Sequence, residues 1–278
     1  MGFGALYIVA TPLGNLEDVT FRALRVLREV PLIACEDTRR TVKLLNRYEI
    51  RTPMIAFHDH NKLSAGAGLL RRLREGGSVA LVSDAGTPGV SDPGYELIRD
   101  AVAEGIPVEV VPGPSALISA LVVSGLPTDR FVFEGFTPSR SSARRKVLAA
   151  LSGETRTLIF YESPQRIAAF LSDASEVLGA RKACVVRELT KIHEEILRGT
   201  LPWLFEEISG RESVMGEITV VIEGAPKTVA LSVEEAVLLA LEAAPESATS
   251  RDLAREISEK TGLPKKQVYA QILKTRER

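Results

Sequence analysis

Val79–Val82 is followed by the loop Ser83-Asp84-Ala85-Gly86-Thr87-Pro88-Gly89-Val90-Ser91-Asp92-Pro93-Gly94, and this stretch decides the fold. Its glycines permit the backbone to approach a ligand closely, and its prolines restrict the shape of the loop. In open α/β folds, ligands bind in the crevice at the carboxyl ends of the strands. The loop therefore predicts a site built largely from backbone, of a kind that suits an adenosine-type cofactor. Taken alone, it is also compatible with a structural turn.

Two further loops of this kind lie at the ends of other apolar runs. They read Ala10-Thr11-Pro12-Leu13-Gly14-Asn15 and Pro112-Gly113-Pro114-Ser115-Ala116. Three such loops after successive strands favour a shared ligand site over three independent turns.

Short apolar runs alternate with amphipathic stretches through the first part of the chain, which predicts βα units and a mostly parallel sheet. The predicted strands are Leu6–Ala10, Leu32–Cys35, Met54–Phe57, Val79–Val82 and Val108–Val111. The predicted helices are Thr20–Glu29, Thr38–Tyr48, Leu63–Glu75 and Tyr95–Glu104.

The alternation resumes with different spacing after Leu117–Thr128, which we interpret as a joint between two α/β halves. The later strands are Phe131–Glu134, Thr157–Tyr161, Ala183–Arg187 and Ile218–Ile222, with helices at Ala143–Leu151 and Pro164–Leu178. The sequence thus predicts an α/β fold class with domains at 1–118 and 119–226, followed by a small helical domain at 227–278.

The C-terminal segment has a helix-turn-helix-like pattern and a local excess of positive charge. Val233–Ala243, Ser250–Thr261 and Lys265–Thr275 are predicted helices, with Ser250 as the N-cap of the second. From Thr249 onward there are eight Lys/Arg and four Asp/Glu, whereas the whole chain has a net charge of −1. This contrast favours nucleic-acid contact, with Lys265 and Lys266 as candidates. A helical cap with a solvated face is the alternative.

Several classes of protein are disfavoured by what the sequence lacks. It contains no G-x-G-x-x-G after a strand, no P-loop, no G-x-S-x-G and no metal-ligand spacing. Cys35 and Cys184 lie beside apolar runs and are predicted to be buried, reduced thiols. No apolar run approaches the length of a membrane span, so we expect a cytoplasmic protein without membrane association.

Charged residues after the strands supply candidate catalytic and phosphate-binding groups. Glu36 and Asp37 directly follow a strand, although Asp37 could instead cap the next helix. Arg39 could orient a carboxylate or bind a phosphate. His58 with Asn61, the segment Arg140–Lys146, and Lys191 are further polar candidates, each equally interpretable as solvated surface.

These motifs together resemble the ribosomal RNA small subunit methyltransferase I family of the tetrapyrrole methylase superfamily. The residues that carry the resemblance are Ile8–Asn15, Cys35–Arg39, Ser83–Gly94, Tyr161–Pro164 with Arg166, and Glu188–Lys191 with Glu194 and Glu195. The resemblance implies two α/β domains with S-adenosylmethionine in the cleft between them, and homodimers. It also implies 2′-O-methylation of a cytidine in the decoding region of 16S ribosomal RNA. Gln165 departs from the pattern, since a His is common there in the family.

The resemblance also implies roles for individual residues. Cofactor contacts, mostly through backbone, are expected at Pro12, Asp84, Ala85, Gly86, Gly89, Ser115, Ala116, Glu162, Leu189 and Thr190. The base that takes the hydroxyl proton is sought among Glu36, Asp37, His58, Asp84 and Glu162, with Glu36, Asp37 and Glu162 taken as catalytic. RNA contacts are expected at Arg39, His58, Asn61, Arg144, Arg145, Arg166, Lys191, Lys265 and Lys266.

Two other functions remain open at this point. A C-methyltransferase of a tetrapyrrole macrocycle would share the fold but have no need of a basic helical tail. A nucleic-acid-binding protein that only senses a ligand would use the tail but leave Glu36, Glu162 and Glu188 without a task.

Overall fold

The computed structural model describes residues 2–226, 232–244 and 248–276. The chain divides into two compact units, Met1–Ala225 and Pro226–Arg278. The two predicted α/β halves are joined within the first unit.

The first half is a five-stranded, wholly parallel sheet with the strand order β3-β2-β4-β1-β5. The alternating pattern predicted a mostly parallel sheet but not this order. Its strands are β1 (Leu6–Val9), β2 (Ile33–Cys35), β3 (Met54–Ala56), β4 (Val79–Val82) and β5 (Val108–Val111). The helices between them are α1 (Phe21–Glu29), α2 (Thr38–Arg47), α3 (Lys62–Arg74) and α4 (Tyr95–Ala103).

Both faces of this sheet are buried, which explains the nearly continuous apolar runs of its strands. Side chains alternate along β4, so that Ala80 and Val82 face α1 and α2 while Val79 and Leu81 face α3 and α4. Cys35 is buried with an unpaired thiol, and so is Cys184 in the second half, as predicted.

The second half is a mixed sheet with the order β6-β7-β10-β8-β9, in which only β6 and β7 run parallel. Its strands are β6 (Phe131–Phe136), β7 (Thr157–Glu162), β8 (Lys182–Arg187), β9 (Glu195–Thr200) and β10 (Ile218–Ile222). Its helices are α5 (Ala116–Ser124), α6 (Ser141–Ala150), α7 (Ile167–Leu178) and α8 (Leu201–Ser209).

Three of these elements were not predicted from the sequence. The expected joint at Leu117–Thr128 is largely occupied by α5, whose Ala120 and Leu121 pack against β7, β8 and β10. β9 and α8 were missed altogether. The turn between them is marked by Thr200, which caps α8, and by a proline in the first turn of that helix.

The C-terminal unit contains three described helices around a small apolar core. They are α9 (Val233–Ala243), α10 (Ser250–Thr261) and α11 (Lys265–Arg276). Thr249, not Ser250, caps α10, and Gly262 ends it in the left-handed conformation at φ 72°. Lys265 and Lys266 are exposed at the start of α11. No helix in the described part of the chain has the length and apolar character needed to cross a membrane.

Candidate functional site

One cavity of about 340 Å³ lies where the carboxyl-end loops of the first sheet meet the second sheet. A volume of a few hundred Å³ is typical of small-molecule sites. The first half lines it with Leu13, Glu36, Arg40, Asp84, Ala85, Gly86, Thr87, Val90, Asp92, Ser115 and Ala116. The second half contributes Phe136, Tyr161, Glu162, Ser163, Pro164, Val186, Leu189, Gly216, Glu217, Ile218 and Thr219.

The three loops that the sequence singled out are hydrogen-bonded to one another. Thr11 and Gly86 exchange backbone hydrogen bonds of 2.9 and 3.0 Å, which join the first loop to the second. The Thr87 hydroxyl donates to the carbonyl of Pro114 at 3.4 Å, which joins the second loop to the third. Gly86 and Gly89 have φ values of 79° and 82°. A side chain at either position would strain the backbone, which explains why glycine occupies them.

A fourth loop from the second half closes against the first. The Thr190 hydroxyl accepts from the Asn15 backbone N–H at 3.2 Å. Glu188 and Thr190 have positive φ values of 52° and 64°, an unusual conformation for residues other than glycine. Such strained residues cluster at functional sites.

Lys191 bridges two acidic residues beside the cavity. Its Nζ lies 2.6 Å from Glu188 Oε1 and 3.2 Å from Glu217 Oε2. Its stem passes so close to Gly14 that a Cβ there would lie 2.2 Å from Lys191 Cγ. Gly14 is therefore needed for the close approach of these two loops.

Four carboxylates, which we call the acidic cluster, gather on one side of the cavity: Glu36, Asp84, Asp92 and Glu217. Asp84 accepts the backbone N–H of Asp37 at 3.0 Å and lies 3.3 Å from Arg40 Nε. The same guanidinium reaches Glu217 Oε1 at 3.5 Å, so Arg40 links the two halves at this side of the cavity.

Burial changes the acidity of the cluster. It raises the pKa of Glu36 and of Asp84, and the charge of Asp84 raises the pKa of Glu36 further. Burial, followed by the charge of Glu36, raises the pKa of Asp92 to about 7. Asp92 is therefore a carboxylate that exchanges its proton near neutral pH. Tyr161 stays neutral in this range because burial raises its pKa to about 12.

Comparison with known proteins identifies the family. The family model of tetrapyrrole (corrin/porphyrin) methylases matches residues 5–204. Ribosomal RNA small subunit methyltransferase I of Thermotoga maritima is 49% identical over 80% of this chain and 99% of its own length. The enzyme of that name from Xylella fastidiosa strain Temecula1 is 48% identical over 96% of this chain and 98% of its own length.

The chain belongs to the tetrapyrrole methylase family, in its ribosomal RNA small subunit methyltransferase I branch.

Solved structures share the fold of the methylase. A cobalt precorrin-4 methyltransferase superimposes with a TM-score of 0.61 at 18% identity, covering 79% of this chain and 94% of its own. Uroporphyrin-III C-methyltransferase from Thermus thermophilus, complexed with S-adenosyl homocysteine, gives 0.56 at 21% identity, with coverages of 78% and 97%. At these identities the likeness concerns the fold alone.

Most residues expected to contact the cofactor lie together in this site. Asp84, Ala85, Gly86, Ser115, Ala116, Glu162 and Leu189 line the cavity. Pro12, Gly89 and Thr190 belong to the loops that form it but are not part of its lining. Asp92, Arg40 and Glu217 also line it, yet sequence reasoning did not select them.

Asp37 is a helix cap in the methylase and a poor base. Its side chain accepts the Arg39 backbone N–H at 2.8 Å, and the Arg39 guanidinium approaches it at 2.7 Å. These hydrogen bonds from Arg39 lower the pKa of Asp37 to about 2. The expectation that Asp37 is catalytic therefore gives way to its alternative role as the cap of α2.

Glu162 is a buried carboxylate held by three hydrogen-bond donors. Its buried carboxylate accepts from the Thr137 hydroxyl at 2.7 Å, the Ser163 backbone N–H at 2.9 Å and Arg166 at 2.7 Å. Because these donors occupy its oxygens, Glu162 fixes the loop that follows β7 and holds Arg166 in place.

Arg144 is the clearest correction among the expected RNA contacts. Its side chain is 3% exposed, and its Nε donates to Asp173 Oδ2 at 2.7 Å. A buried guanidinium that neutralises a buried carboxylate offers no surface to a phosphate. Arg145 is half-buried and also lies 3.0 Å from Asp173, with Glu176 as a second partner.

His58 and Asn61 shape the loop after β3 and are not part of the cavity lining. Asn61 Oδ1 accepts the His58 backbone N–H at 2.8 Å, and its amide donates to the Ala56 carbonyl at 2.9 Å. Gln165, at the position where the family commonly has His, is exposed.

Proposed function

We propose that this chain methylates the 2′-hydroxyl of a cytidine in the decoding region of 16S ribosomal RNA, in the cytoplasm, with S-adenosylmethionine as methyl donor. The observation that carries the proposal is one cavity in which backbone-lined loops face an acidic cluster. S-adenosylmethionine is the methyl donor of this family of methyltransferases. Relatives named ribosomal RNA small subunit methyltransferase I, at 45–50% identity, support RNA as the acceptor.

The cavity suits S-adenosylmethionine in shape and in charge. Leu13, Val90 and Leu189 offer an apolar wall, and Ala85 and Gly86 bring the backbone of the second loop to the cavity. The acidic cluster favours a ligand with positive charge, such as a sulfonium and an ammonium group. When bound, this cofactor supplies a methyl group that is attacked in line with its bond to sulfur.

The loops contribute chiefly by positioning. Thr11 bonded to Gly86, and Thr190 bonded to Asn15, fix the two sides of the cavity. Arg40 ties Asp84 of the first half to Glu217 of the second beside the cavity. Holding the acceptor oxygen in line with the methyl carbon removes much of the entropic barrier to transfer.

Asp92 is the base that this geometry favours. Glu36 and Asp84 accept backbone N–H groups, at 3.5 and 3.0 Å, and Glu162 accepts three donors. Asp92 lines the cavity with the Ser83 hydroxyl beside its carboxylate, and it has no ion-pair partner among the described residues. In the proposed reaction the ribose hydroxyl would give its proton to Asp92 as its oxygen bonds to the methyl carbon, and the electron pair of the broken carbon–sulfur bond would stay on the sulfur of the departing cofactor.

The decisive experiment is transfer of labelled methyl from S-adenosylmethionine to small ribosomal subunits that lack the modification, followed by nucleoside analysis. Label recovered as 2′-O-methylcytidine at one site is the expected result. Transfer to a tetrapyrrole and not to RNA would assign the chain to macrocycle methylation. Cofactor binding without transfer to either acceptor would favour a ligand-sensing role.

Substrate contacts beyond the cavity are proposed for exposed or partly exposed cations. Arg39, Arg145, Arg166, Lys191, Lys265 and Lys266 are assigned to RNA phosphates, and His58 and Asn61 to the RNA near the loop after β3. Such contacts position the RNA without reading its sequence.

A homodimer is proposed from the family resemblance and from exposed apolar side chains on two consecutive elements. Val110 lies on the edge strand β5 and is 58% exposed. Ile118 and Val122 lie one turn apart on α5 and are 44% and 67% exposed. Contiguous exposed apolar patches are typical of interfaces between subunits.

A further inference from the structure

The helix α2 carries a face of positive charge whose outer residues, Lys43 and Arg47, have no role in the proposed reaction. Its ten residues, Thr38–Arg47, include Arg39, Arg40, Lys43 and Arg47 and no acidic residue. At 100° per residue, these four cations fall within an arc of about 100°. We call this arc the α2 basic face. The buried residues of α2 lie outside the arc and pack against the first sheet.

The α2 basic face begins at the cavity. Glu36, just before the helix, and Arg40, in its first turn, both line the cavity. Arg47 follows Arg40 by seven residues, so the face extends from the cavity edge by about 10 Å along the helix axis. A polymer that places one nucleotide in the cavity would therefore meet this face with its neighbouring nucleotides.

The charge of the outer part of the face is available to a ligand. Arg39 is held by Asp37, and Arg40 is shared between Asp84 and Glu217. Lys43 and Arg47 are exposed, and within the described residues neither has a carboxylate within 4 Å. Arg28 adds a further cation nearby, since it donates to the Tyr48 carbonyl just beyond the end of α2.

We propose that the α2 basic face binds the phosphates of the RNA strand that flanks the target nucleotide, an inference that rests on the proposed function. A row of cations two helical turns long matches a chain of regularly spaced phosphates better than it matches a single small anion. The face contacts backbone and not bases, so it adds affinity and register and no sequence preference. Its first residues place the strand at the edge of the acidic cluster, where naked phosphates would otherwise be repelled.

The test replaces the two outer cations, which do not line the cavity. The variant Lys43→Gln/Arg47→Gln should raise KM for naked 16S ribosomal RNA and for small subunits while leaving kcat unchanged. Each lost phosphate contact removes about 0.7–0.9 from the slope of log affinity against log salt. The ratio of the variant's KM to the wild-type KM should therefore fall about 10-fold as the salt concentration rises from about 50 to about 200 mM.

A matched control is Arg71→Gln/Lys182→Gln, which removes the same charges. Arg71 lies in the last turn of α3, just before β4, and Lys182 begins β8, so both lie near the amino ends of strands and not at the carboxyl-end loops that form the cavity. Both side chains are exposed. We expect this control to keep the wild-type KM and salt dependence. Equal KM increases in the two variants would contradict phosphate binding by the α2 basic face, because the net charge of the protein alone would then explain the effect. Wild-type KM in Lys43→Gln/Arg47→Gln would overturn it as well.

Two further measurements separate this inference from folding and from the reaction itself. The affinity for S-adenosylhomocysteine, measured calorimetrically, reports whether the cavity is intact. If Lys43→Gln/Arg47→Gln loses that affinity, the charge-preserving variant Lys43→Arg/Arg47→Lys tests the inference instead. If the α2 basic face binds phosphates, this variant must keep the wild-type KM for RNA. If the wild-type chain transfers no methyl to RNA, the proposed function fails. In that case, the salt dependence of RNA binding by wild type and variants still tests whether the α2 basic face binds phosphates.

Discussion

Asp92 controls, at the scale of a single residue, the expected pH dependence of methyl transfer. Burial and the charge of Glu36 raise its pKa to about 7, so the fraction able to accept a proton grows as pH rises through 7. Single-turnover rates should rise through that range and level off above it. Asp92→Asn should lower kcat by about 10²–10⁴-fold and abolish this rise. Unchanged affinity for S-adenosylhomocysteine is the control, and an unaltered pH profile in Asp92→Asn would contradict the assignment.

Glu36 offers a second test at this scale, because its charge is the second cause of the high pKa of Asp92. Removing that charge in Glu36→Gln should lower the pKa of Asp92 and shift the rise in rate to lower pH. A profile that keeps its wild-type midpoint would show that the two carboxylates are not coupled.

The ionised carboxylate of Asp92 should also lower the free energy of unfolding above neutral pH. Its pKa rises from 3.8 to about 7 on folding, so between these values the folded state binds more protons than the unfolded state. The contribution of this group to unfolding free energy therefore falls as pH rises from about 4 to about 7. Asp92→Asn should have a higher Tm than wild type at pH 8 and a smaller advantage at pH 4. A lower Tm at pH 8 would mean that the carboxylate is structurally required.

The sequence pointed to the cavity but not to the chemistry of every residue in it. The glycines and prolines of Ser83–Gly94 marked the loop correctly, because their backbone properties are local. Arg40 and Glu217 meet across the two halves, 177 positions apart in the sequence, and nothing local reports such a contact. Arg144 was misjudged for the same reason, since its partner Asp173 lies on another helix.

At the scale of elements, the buried pair Arg144–Asp173 joins α6 to α7. The Ser141 hydroxyl also donates to Asp173 at 2.9 Å, so the carboxylate is well satisfied. Asp173→Ala would leave a buried guanidinium unpaired and should destabilise the protein by about 3–5 kcal/mol. Urea unfolding measures this loss. The double variant Arg144→Met/Asp173→Leu, which removes both charges, should recover most of the lost free energy of unfolding. A loss as large as that of Asp173→Ala would contradict the assignment of the loss to the unpaired guanidinium.

Elements with a strong local period were predicted, and elements without one were missed. The first sheet has strands buried on both faces and helices with clear apolar stripes, so pattern alone located them. α5 is apolar nearly all round and rich in β-branched residues, which hides its period. β9 is an edge strand of alternating partial exposure that contains Gly199, so it lacks the apolar run of a buried strand. The reversed direction of β10 depends on long-range pairing that pattern does not report.

At the scale of the whole molecule, the proposed dimer predicts a dependence on α5. Val122→Glu places a charge on an exposed position of that helix, where the isolated chain should tolerate it. Light scattering after gel filtration should give twice the chain mass for wild type and the chain mass for Val122→Glu. The control Leu63→Glu changes an apolar residue of α3 that is also exposed. A wild-type monomer, or a dimer that survives Val122→Glu, would contradict this interface.

The division into two units predicts that cofactor binding needs only the first unit, whereas full RNA affinity needs both. The apolar clusters of the first unit lie within residues 1–225, and the cluster built from Val237, Leu253, Ile257 and Ile272 lies wholly in the second. A chain ending at Ala225 therefore retains every residue of the cavity and of its own cores, and it should bind S-adenosylhomocysteine as tightly as the full chain does. It should lose RNA affinity by about 10-fold or more, because the eight Lys/Arg that follow Thr249 are gone. In the full chain, Lys265→Gln/Lys266→Gln should cause part of that loss of RNA affinity. It should also reduce the slope of log affinity against log salt by about 1.5. If the truncated chain and this variant both keep wild-type RNA affinity, all phosphate contacts lie on the α/β unit.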